Sequence, residues 1–438
     1  MTRVLSADWV LPVDAPPIAD GALAIEDGRI AAVATRGELG DGEHFDEAAI
    51  VPGFVNAHSH LEYAVYSGFG DGFAFAPWIT LHNERKRALE WGDHVAIARL
   101  GAAECLAAGI TTIGDASYSG GAALACADLG LRAIVYLEVF GSDVGAALAR
   151  MADARGRIEP ALSERVRAGV SPHTTFTVSP EVYAACAKLG LPQATHLAET
   201  EAEQRWLTSG EGPFAQFRAV LRPPARTTGV RLLAERGLLG PAVCAAHCVL
   251  VDDEEIALLA EHDVAVAHCP RSNALLGGGI APLIALRAAG VRIGLGTDSP
   301  ASTPSFDVFE ELRAAIMLAR VRERRADALP ASQALELATL GSARALGLDG
   351  DVGSLTPGKR ADLTVVSLAG SPYLPWEDPA AAVVFGGSPE RVVLTAVDGE
   401  VRYKEGEFEW HELRRRAANA RGRMLHAAPA AELTAGSP

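Results

Sequence analysis

The sequence is poor in cysteine and lacks the spacings in which cysteines usually bind metal or each other. Its 438 residues include six cysteines, and no two of them form a Cys-x-x-Cys pair. We therefore expect neither a disulfide framework nor a four-cysteine zinc site. Unpaired cysteines at this low density are typical of a reducing compartment, and the expected location is the cytoplasm.

Long apolar runs and excess positive charge are also missing. No uncharged apolar run reaches the ~18 residues of a membrane-spanning helix, and the apolar stretch at the N-terminus is too short for a signal peptide. Lys and Arg total 39 against 55 Asp and Glu, a formal charge of −16, which repels nucleic acid and anionic membranes. We expect a small-molecule substrate and neither a nucleic-acid nor a membrane partner. The chain is expected to act alone or as a homodimer.

Several catalytic motifs are absent. The chain has no GxGxxG, P-loop, HExxH or GxSxG, which argues against a dinucleotide-binding fold, a phosphate-binding loop, a zincin and an α/β-hydrolase. His60-Leu61-Glu62 matches half of the zinc signature of nucleobase deaminases, but the Pro-Cys-x-x-Cys half does not occur. That deaminase fold is therefore rejected.

The organisation of the chain predicts two domains. Both ends are β-prone, and neither could form a core alone, so residues 1–50 and 351–410 are predicted to build one small β-sandwich. Residues 411–438 are predicted to form a polar helix and, from residue 427, a disordered tail. Between them, residues 51–350 alternate apolar, strand-length runs with helical segments, which predicts an α/β fold of the (β/α)8 type. Its candidate strands are Ile50–Asn56, Thr111–Asp115, Ala133–Phe140, Ala168–Ser171, Gln193–Leu197, Ala242–Cys248, Val264–Cys269 and Val291–Thr297.

Histidines and an aspartate follow or close four of these candidate strands. They are His58 and His60, His196, His247 and Asp298. Singly, each of them has a structural alternative as a loop, core or capping residue. In a barrel, however, the carboxyl ends of all strands meet at one mouth, so these side chains are predicted to converge. Imidazole and carboxylate donors suit Zn²⁺, with Fe²⁺ as the alternative.

Glu199 follows His196 by three residues and is predicted to lie in the loop after that strand. A carboxylate at this position can reach the reacting water without binding the metal, as a proton shuttle must. The alternative is a capping carboxylate in the first turn of the next helix.

The ordered motifs VPGFVNAHSHLE, THLAE, AHCVLVDDEEI, AHCPRSN, GTDSPAS and LTPGKRADLTVV resemble the amidohydrolase superfamily. The resemblance implies a (β/α)8 barrel with a β-sandwich from both termini. It also implies one metal ion, because strand four ends in Ser171-Pro172-His173, without the bridging lysine of two-metal members. By this similarity His58, His60, His196 and Asp298 hold one Zn²⁺ per chain, His247 orients the water, and Glu199, His247 and Asp298 are catalytic.

The resemblance also implies a deaminase acting on an N-heterocycle. SPHTTFTVS, with His173, and HCPRSNALLGGGIAPL resemble the branch acting on S-adenosylhomocysteine and methylthioadenosine. The segment from HSHLE to Pro77-Trp78-Ile79 looks more like aminodeoxyfutalosine deaminases of menaquinone biosynthesis, whose substrate carries a benzoate. Arg271 could pair with that carboxylate, or form a loop ion pair instead. The other predicted substrate contacts are Glu62, Trp78, Glu84 and His268, for each of which a structural role is the alternative.

The expected activity is therefore zinc-dependent release of ammonia from the adenine ring of a nucleoside, with aminodeoxyfutalosine as the leading substrate. Other N-heterocycles of the guanine, cytosine or triazine type remain alternatives, as does hydrolysis of a cyclic amide or a ring halide. A barrel that binds a ligand without turnover is a third hypothesis. It is disfavoured because every proposed ligand and the proposed shuttle are present.

Overall fold

The computed structural model describes residues 2–428. Its strands, in chain order, are β1 Arg3–Val10, β2 Ile18–Glu26, β3 Arg29–Thr35, β4 Glu43–Pro52, β5 Phe54–Ser59, β6 Ile110–Ser117, β7 Arg132–Val139, β8 Val166–Pro172, β9 Gln193–Leu197, β10 Val243–His247, β11 Ala265–His268, β12 Arg292–Leu295, β13 Leu363–Ser367, β14 Val392–Val397 and β15 Glu400–Lys404.

The α-helices are α1 Arg36–Leu39, α2 Phe75–Arg87, α3 Trp91–Ala107, α4 Gly121–Leu129, α5 Val144–Ile158, α6 Pro180–Ala187, α7 Glu201–Ser209, α8 Gly229–Glu235, α9 Asp253–Glu261, α10 Pro270–Leu275, α11 Leu283–Ala288, α12 Val308–Glu323, α13 Ala331–Glu336, α14 Ser342–Ala345, α15 Pro379–Gly386 and α16 His411–Ala427. Short 3₁₀ helices cover Leu61–Tyr66, Glu159–Ala161, Pro213–Phe217 and Pro389–Arg391, and a π-helical turn covers Leu337–Gly341. In the described part of the chain, every helix falls short of the length and apolarity needed to cross a membrane.

Strands β5 to β12 form one parallel sheet in sequence order. A parallel bridge between Ser59 and Asp298 brings the first strand back beside the end of the last one. Almost every residue of these strands is buried, because helices cover the outside and side chains fill the inside. The predicted (β/α)8 barrel is confirmed, and the carboxyl ends of its strands meet at one mouth.

The two chain ends share a second sheet with the strand order β15-β14-β13-β4-β1-β2-β3. Strand β4 lies at its centre, parallel to β1 and antiparallel to β13. Its separate core includes Leu5, Leu23, Ile50, Leu363 and Leu394. Neither end could bury these side chains without the other, as the sequence predicted.

The predicted first barrel strand, Ile50–Asn56, is in fact parts of two strands in two sheets. Strand β4 ends at Pro52 in the terminal sheet, and β5 begins at Phe54 in the barrel. Between them lies Gly53, where an added Cβ would come within 2.2 Å of the Thr111 side chain. Only glycine allows this close approach, and we propose Gly53 as the boundary between the two domains.

Helix α16 packs across α3 and α2, next to the segment that follows β5. Arg423 forms an ion pair with Asp93 of α3, and Arg421 donates to the backbone carbonyl of Val65. The helix continues to Ala427, where the tail was predicted to begin. The rest of the predicted tail, from residue 429, lies outside the described residues.

Candidate active site

Four side chains from three regions of the barrel converge at its mouth. His58 and His60 come from β5 and the residue after it, His196 from β9, and Asp298 from the turn after β12. The Nε2 atoms of His60 and His196 are 3.2 Å apart. Oδ1 of Asp298 lies 3.4 Å from Nε2 of His58 and 3.4 Å from Nε2 of His60. These four residues are far apart in the chain, and their close approach agrees with the convergence that the sequence predicted.

The backbone is unusual at the end of β10 and just after β12. His247 has φ 75°, and Asp298 has φ 56°. Positive φ is uncommon for residues other than glycine and costs conformational energy. At these two positions the chain leaves the strand, and both side chains line the cavity at the mouth of the barrel. Strain at a cluster of polar side chains is typical of functional sites.

A hydrogen bond on the opposite side of each group fixes its orientation. Nδ1 of His196 donates to the backbone carbonyl of His173 at 3.0 Å, and Nδ1 of His247 donates to the side-chain oxygen of Asn273 at 2.9 Å. Each of these histidines therefore carries its proton on Nδ1, and its Nε2 lone pair faces the cluster. Such outer contacts orient metal ligands in many proteins.

Asp298 is oriented in the same way by two hydroxyl groups. Ser272 and Ser302 donate to Oδ2 of Asp298, at 2.5 Å and 2.8 Å. The other oxygen, Oδ1, is left to face the histidines. The carboxylate is thus held as a ligand that presents one oxygen atom.

The donor set fits a divalent cation. Nitrogen and oxygen atoms bound to one Zn²⁺ at about 2.0–2.1 Å lie roughly 3.3 Å from each other in a tetrahedral site, and the contacts above are 3.2–3.4 Å. The buried Nε2 of His58 has no hydrogen-bond partner in the described residues. His58, His60 and His196 form one cluster of possible ligands, and His58, His247 and Asp298 form another that overlaps it.

The protonation states that the site favours are those that metal ligands need. Burial, together with the neighbouring His58, lowers the pKa of His60 to about 3. Burial and the nearby histidines lower the pKa of His196 well below its usual value. Burial is the largest effect on the pKa of Asp298 and would raise it, but the nearby imidazoles of His58, His247 and His60 outweigh burial and hold that pKa well below its usual value. Neutral imidazoles around an ionised carboxylate are ready to bind a cation.

Glu199 lies beside this cluster without belonging to it. Its Oε1 is 3.7 Å from Nε2 of His247. The loop that carries it is fixed by Glu203, which accepts hydrogen bonds from the backbone N–H groups of Ala198 and Glu199. Burial, and the negative charge of Asp298, raise the pKa of Glu199 to about 8. A carboxyl group with a pKa near neutrality can both accept and donate a proton.

A cavity of about 470 Å³ opens from this cluster, and its lining includes His60, His196, Glu199, His247 and Asp298. That volume is within the usual range for small-molecule sites. Two of the predicted substrate contacts, His173 and Trp78, also line it. Four phenylalanine rings also line the cavity: Phe140, Phe176, Phe214 and Phe217.

Among the described residues that line this cavity, four predicted substrate contacts are absent: Glu62, Glu84, His268 and Arg271. The guanidinium of Arg271 instead forms ion pairs with Glu310 and Glu311. This is the alternative that the sequence left open for it.

The other three have different surroundings. Glu62 is buried and accepts hydrogen bonds from the hydroxyl of Ser117 and from the backbone and hydroxyl of Ser119. Glu84 is exposed on α2. His268 is buried, and burial lowers its pKa to about 4.

Several residues at the site were not predicted from the sequence. Ser272 and Asn273, which orient Asp298 and His247, lie inside the motif AHCPRSN, so that motif contained a signal for them. Lys86 and Glu138 line the cavity wall. Lys86 lies in a helix and not at the end of a predicted strand, so the sequence offered no comparable signal for it.

The chain is similar to known proteins over most of its length. The sequence pattern of the amidohydrolase family matches residues 49–402. A 5′-deoxyadenosine deaminase of Methanothermobacter thermautotrophicus is 33% identical over 410 residues, covering 91% of this chain and 92% of the relative. A 5-methylthioadenosine/S-adenosylhomocysteine deaminase of Nitratidesulfovibrio vulgaris is 34% identical over 427 residues, covering 92% of each chain. The crystal structure of an adenosine deaminase from Xanthomonas campestris with bound zinc superimposes with a TM-score of 0.85 at 26% identity, covering 97% of this chain and 98% of that one.

Proposed function

The chain belongs to the amidohydrolase family, and from that premise we propose that it is a metal-dependent hydrolytic deaminase of adenine nucleosides. The observation that carries the proposal is the position of Glu199. It is a cavity-lining carboxyl group whose pKa is raised to about 8, next to four converging metal donors. The names of the two relatives described above support an adenine nucleoside as the substrate class.

His58, His60, His196 and Asp298 would hold one divalent cation. Three imidazoles and one carboxylate suit Zn²⁺, and Fe²⁺ is the alternative. When bound, the cation would supply Lewis-acid chemistry that activates the attacking water. Two hydroxyl groups and one backbone carbonyl, described above, would keep two of the four ligands oriented toward it.

His247 would orient the attacking water, and Glu199 would transfer its proton. The unprotonated Nε2 of His247 can accept a hydrogen bond from the water, because its Nδ1 donates to Asn273. Glu199 would accept a proton from the water and deliver it to the ring nitrogen. A bond then forms between the water oxygen and the ring carbon that bears the amino group. The carbon–nitrogen bond breaks, and the second proton leaves with ammonia.

The walls of the cavity favour a substrate with an apolar group at the far end of the sugar. The phenylalanine rings of the cavity wall would contact a methylthio or deoxy 5′-position without leaving polar atoms unpaired. 5′-Deoxyadenosine and methylthioadenosine are therefore the substrates that we propose first. S-Adenosylhomocysteine, whose tail is charged, would depend on polar groups nearer the cavity opening.

Aminodeoxyfutalosine, which would give the enzyme a role in menaquinone biosynthesis, is the second candidate. The phenylalanine rings of the cavity wall favour it, because the substrate carries a benzoate ring that could pack against them. Arg271 cannot be its carboxylate partner without giving up its ion pairs with Glu310 and Glu311. Arg150 lines the outer cavity and is the alternative partner.

Ammonia release from a substrate panel tests the proposal. Metal-loaded enzyme would be given 5′-deoxyadenosine, methylthioadenosine, S-adenosylhomocysteine, adenosine and aminodeoxyfutalosine, with guanine, cytosine and a chlorotriazine for comparison. We expect ammonia from the adenine nucleosides, with kcat/KM highest for those that have an apolar 5′-group. Release of chloride from the triazine, or of ammonia from the free bases only, would overturn the proposal.

A further inference from the structure

A nearly buried carboxylate on the cavity wall lacks a hydrogen-bond partner among the described residues. Glu138 lies near the end of β7, its side chain is 3% exposed, and it lines the cavity. Its Oε1 lies 4.0 Å from Nε2 of His173, too far for a hydrogen bond. Within residues 2–428, no hydrogen bond reaches this carboxylate. Carboxylates at such depth are costly unless a donor satisfies them, so a donor from the ligand is expected here.

A positively charged side chain also lines the cavity. Lys86, on α2, also lines the cavity, and its Nζ lies 4.2 Å from the ring centroid of Tyr118 and 5.9 Å from that of Phe140. In the described part of the chain, no carboxylate oxygen lies within ion-pair distance of this ammonium. The ring face of Tyr118 stabilises its charge but leaves hydrogen-bond donors free to point into the cavity.

The two groups select a ligand that is neutral and carries hydroxyls. Their opposite charges sum to zero, so an anionic or cationic group would gain attraction from one of them only together with repulsion from the other. A hydroxyl can donate to the carboxylate and also accept from the ammonium. Two adjacent hydroxyls can satisfy both groups together, through charge-assisted hydrogen bonds, which are stronger than neutral ones.

The residue His173 links Glu138 to the cluster of metal donors. His173, next to Glu138, holds His196 through its backbone carbonyl and lines the cavity with its ring. A planar heterocycle that reacts at the cluster would contact His173. The sugar attached to that heterocycle would then reach Glu138 and Lys86.

We propose that Glu138 and Lys86 together bind the vicinal 2′- and 3′-hydroxyls of the substrate ribose, and so select ribonucleosides. The proposal rests on the proposed function, since it takes the substrate to be a nucleoside. Glu138 accepts hydrogen bonds from the hydroxyls, and Lys86 donates to one of them. Both are specificity residues, and neither takes part in proton transfer.

Steady-state kinetics with two substrates tests whether Glu138 and Lys86 bind the ribose hydroxyls. Native enzyme, Glu138→Gln and Lys86→Met would be compared on adenosine and on 2′,3′-dideoxyadenosine. The matched controls are Glu235→Gln and Lys188→Met, which replace exposed residues remote from the cavity. Because hydrogen bonds to charged groups contribute about 1.5–3 kcal/mol, we expect each variant to lose about 10- to 100-fold in kcat/KM on adenosine, mainly through KM. On dideoxyadenosine, which lacks both hydroxyls, we expect the variants to match the native enzyme within about threefold.

Equal losses on both substrates would assign the two residues a structural role and overturn the inference. So would native enzyme that processes both substrates equally well. Lys86→Met provides an independent test if Glu138→Gln does not fold.

Calorimetric binding of inosine and 2′,3′-dideoxyinosine separates this inference from the proposed function. If native enzyme deaminates no adenine nucleoside, the proposed function fails. Tighter binding of inosine that is lost in Glu138→Gln would still support the hydroxyl site, whereas equal binding of the two ligands would refute it.

Discussion

The backbone carbonyl of His173 holds the imidazole of His196, accepting a hydrogen bond from its Nδ1 at 3.0 Å. The side chain of His173 meanwhile lines the cavity, with its Nδ1 bonded to the hydroxyl of Thr177 at 3.0 Å. One residue therefore orients a metal donor through its main chain and faces the substrate with its ring. Replacing the ring should leave the orientation of His196 intact. We expect His173→Ala to raise KM while the bound metal is retained.

Replacing Glu199 by glutamine should abolish proton transfer without removing the metal. Glutamine keeps the size of the side chain but cannot accept the proton of the water, so we expect kcat to fall by about 10²- to 10⁴-fold. Metal content, measured by mass spectrometry, should stay the same. Glu201→Gln, which changes an exposed glutamate two residues away, is the control and should keep full activity. A Glu199→Gln enzyme with nearly native kcat would remove this residue from the mechanism.

Asn273 should act through His247. Asn273→Leu removes the acceptor for Nδ1 of His247, so the ring loses its fixed orientation and its tautomer. We expect kcat to fall about 10- to 100-fold, with a smaller change in KM. Asn273→Asp keeps an oxygen at the same position and should restore much of the activity. Similar losses in both variants would indicate that Asn273 serves packing rather than the orientation of His247.

The hydroxyls of Ser272 and Ser302 should contribute to metal affinity. Both donate to Oδ2 of Asp298, and loss of such outer contacts typically weakens metal binding about 10- to 100-fold. Competition with a chelator should therefore remove the metal from Ser272→Ala and Ser302→Ala more readily than from the native enzyme. Ser209→Ala, an exposed position on α7, is the control. Unchanged affinity in both variants would contradict this role for the hydroxyls.

Much of the barrel could be predicted because parallel strands buried on both faces have long apolar runs. Strand β9 has the predicted bounds, Gln193–Leu197, and His58, His60, His196 and Asp298 were predicted from their positions relative to such runs. The division of Ile50–Asn56 between two sheets could not be predicted, since its apolar residues continue through the change of sheet. The break coincides with the close contact that Gly53 makes with Thr111, on a strand distant in the chain.

The substrate-facing wall was harder to predict for a related reason. Position relative to a strand end says nothing about which charged side chains are already paired. Arg271 follows β11 and could have reached a substrate, but α12 supplies Glu310 and Glu311 beside it. Conversely, Lys86 lines the cavity because α2 crosses the mouth of the barrel, and that tertiary arrangement leaves no periodic signal in the sequence.

Stability should depend on pH through Glu104, on α3. Burial raises its pKa to about 7, against a weaker opposing effect of Arg414. The folded state thus favours the protonated form, and the unfolded state ionises above about 4.5. Stability is therefore highest at low pH with respect to this group and falls as pH rises toward 7. Glu104→Gln should unfold at the same urea concentration as the native enzyme at pH 4.5, and at a higher one at pH 8.

The control for that experiment is Glu201→Gln. Because Glu201 is exposed, the difference from native enzyme should not change between the two pH values. A Glu104→Gln variant that is no more stable than native enzyme at pH 8 would show that the buried carboxyl group is not costly.

The central claim is that one cation, held by His58, His60, His196 and Asp298, supports deamination of an adenine nucleoside. Its most direct test is to titrate metal-free enzyme with Zn²⁺ while measuring ammonia release from 5′-deoxyadenosine. The account predicts a rate that rises from near zero and reaches its plateau at one Zn²⁺ per chain. A plateau at two ions per chain, or no ammonia at any ratio, would contradict it.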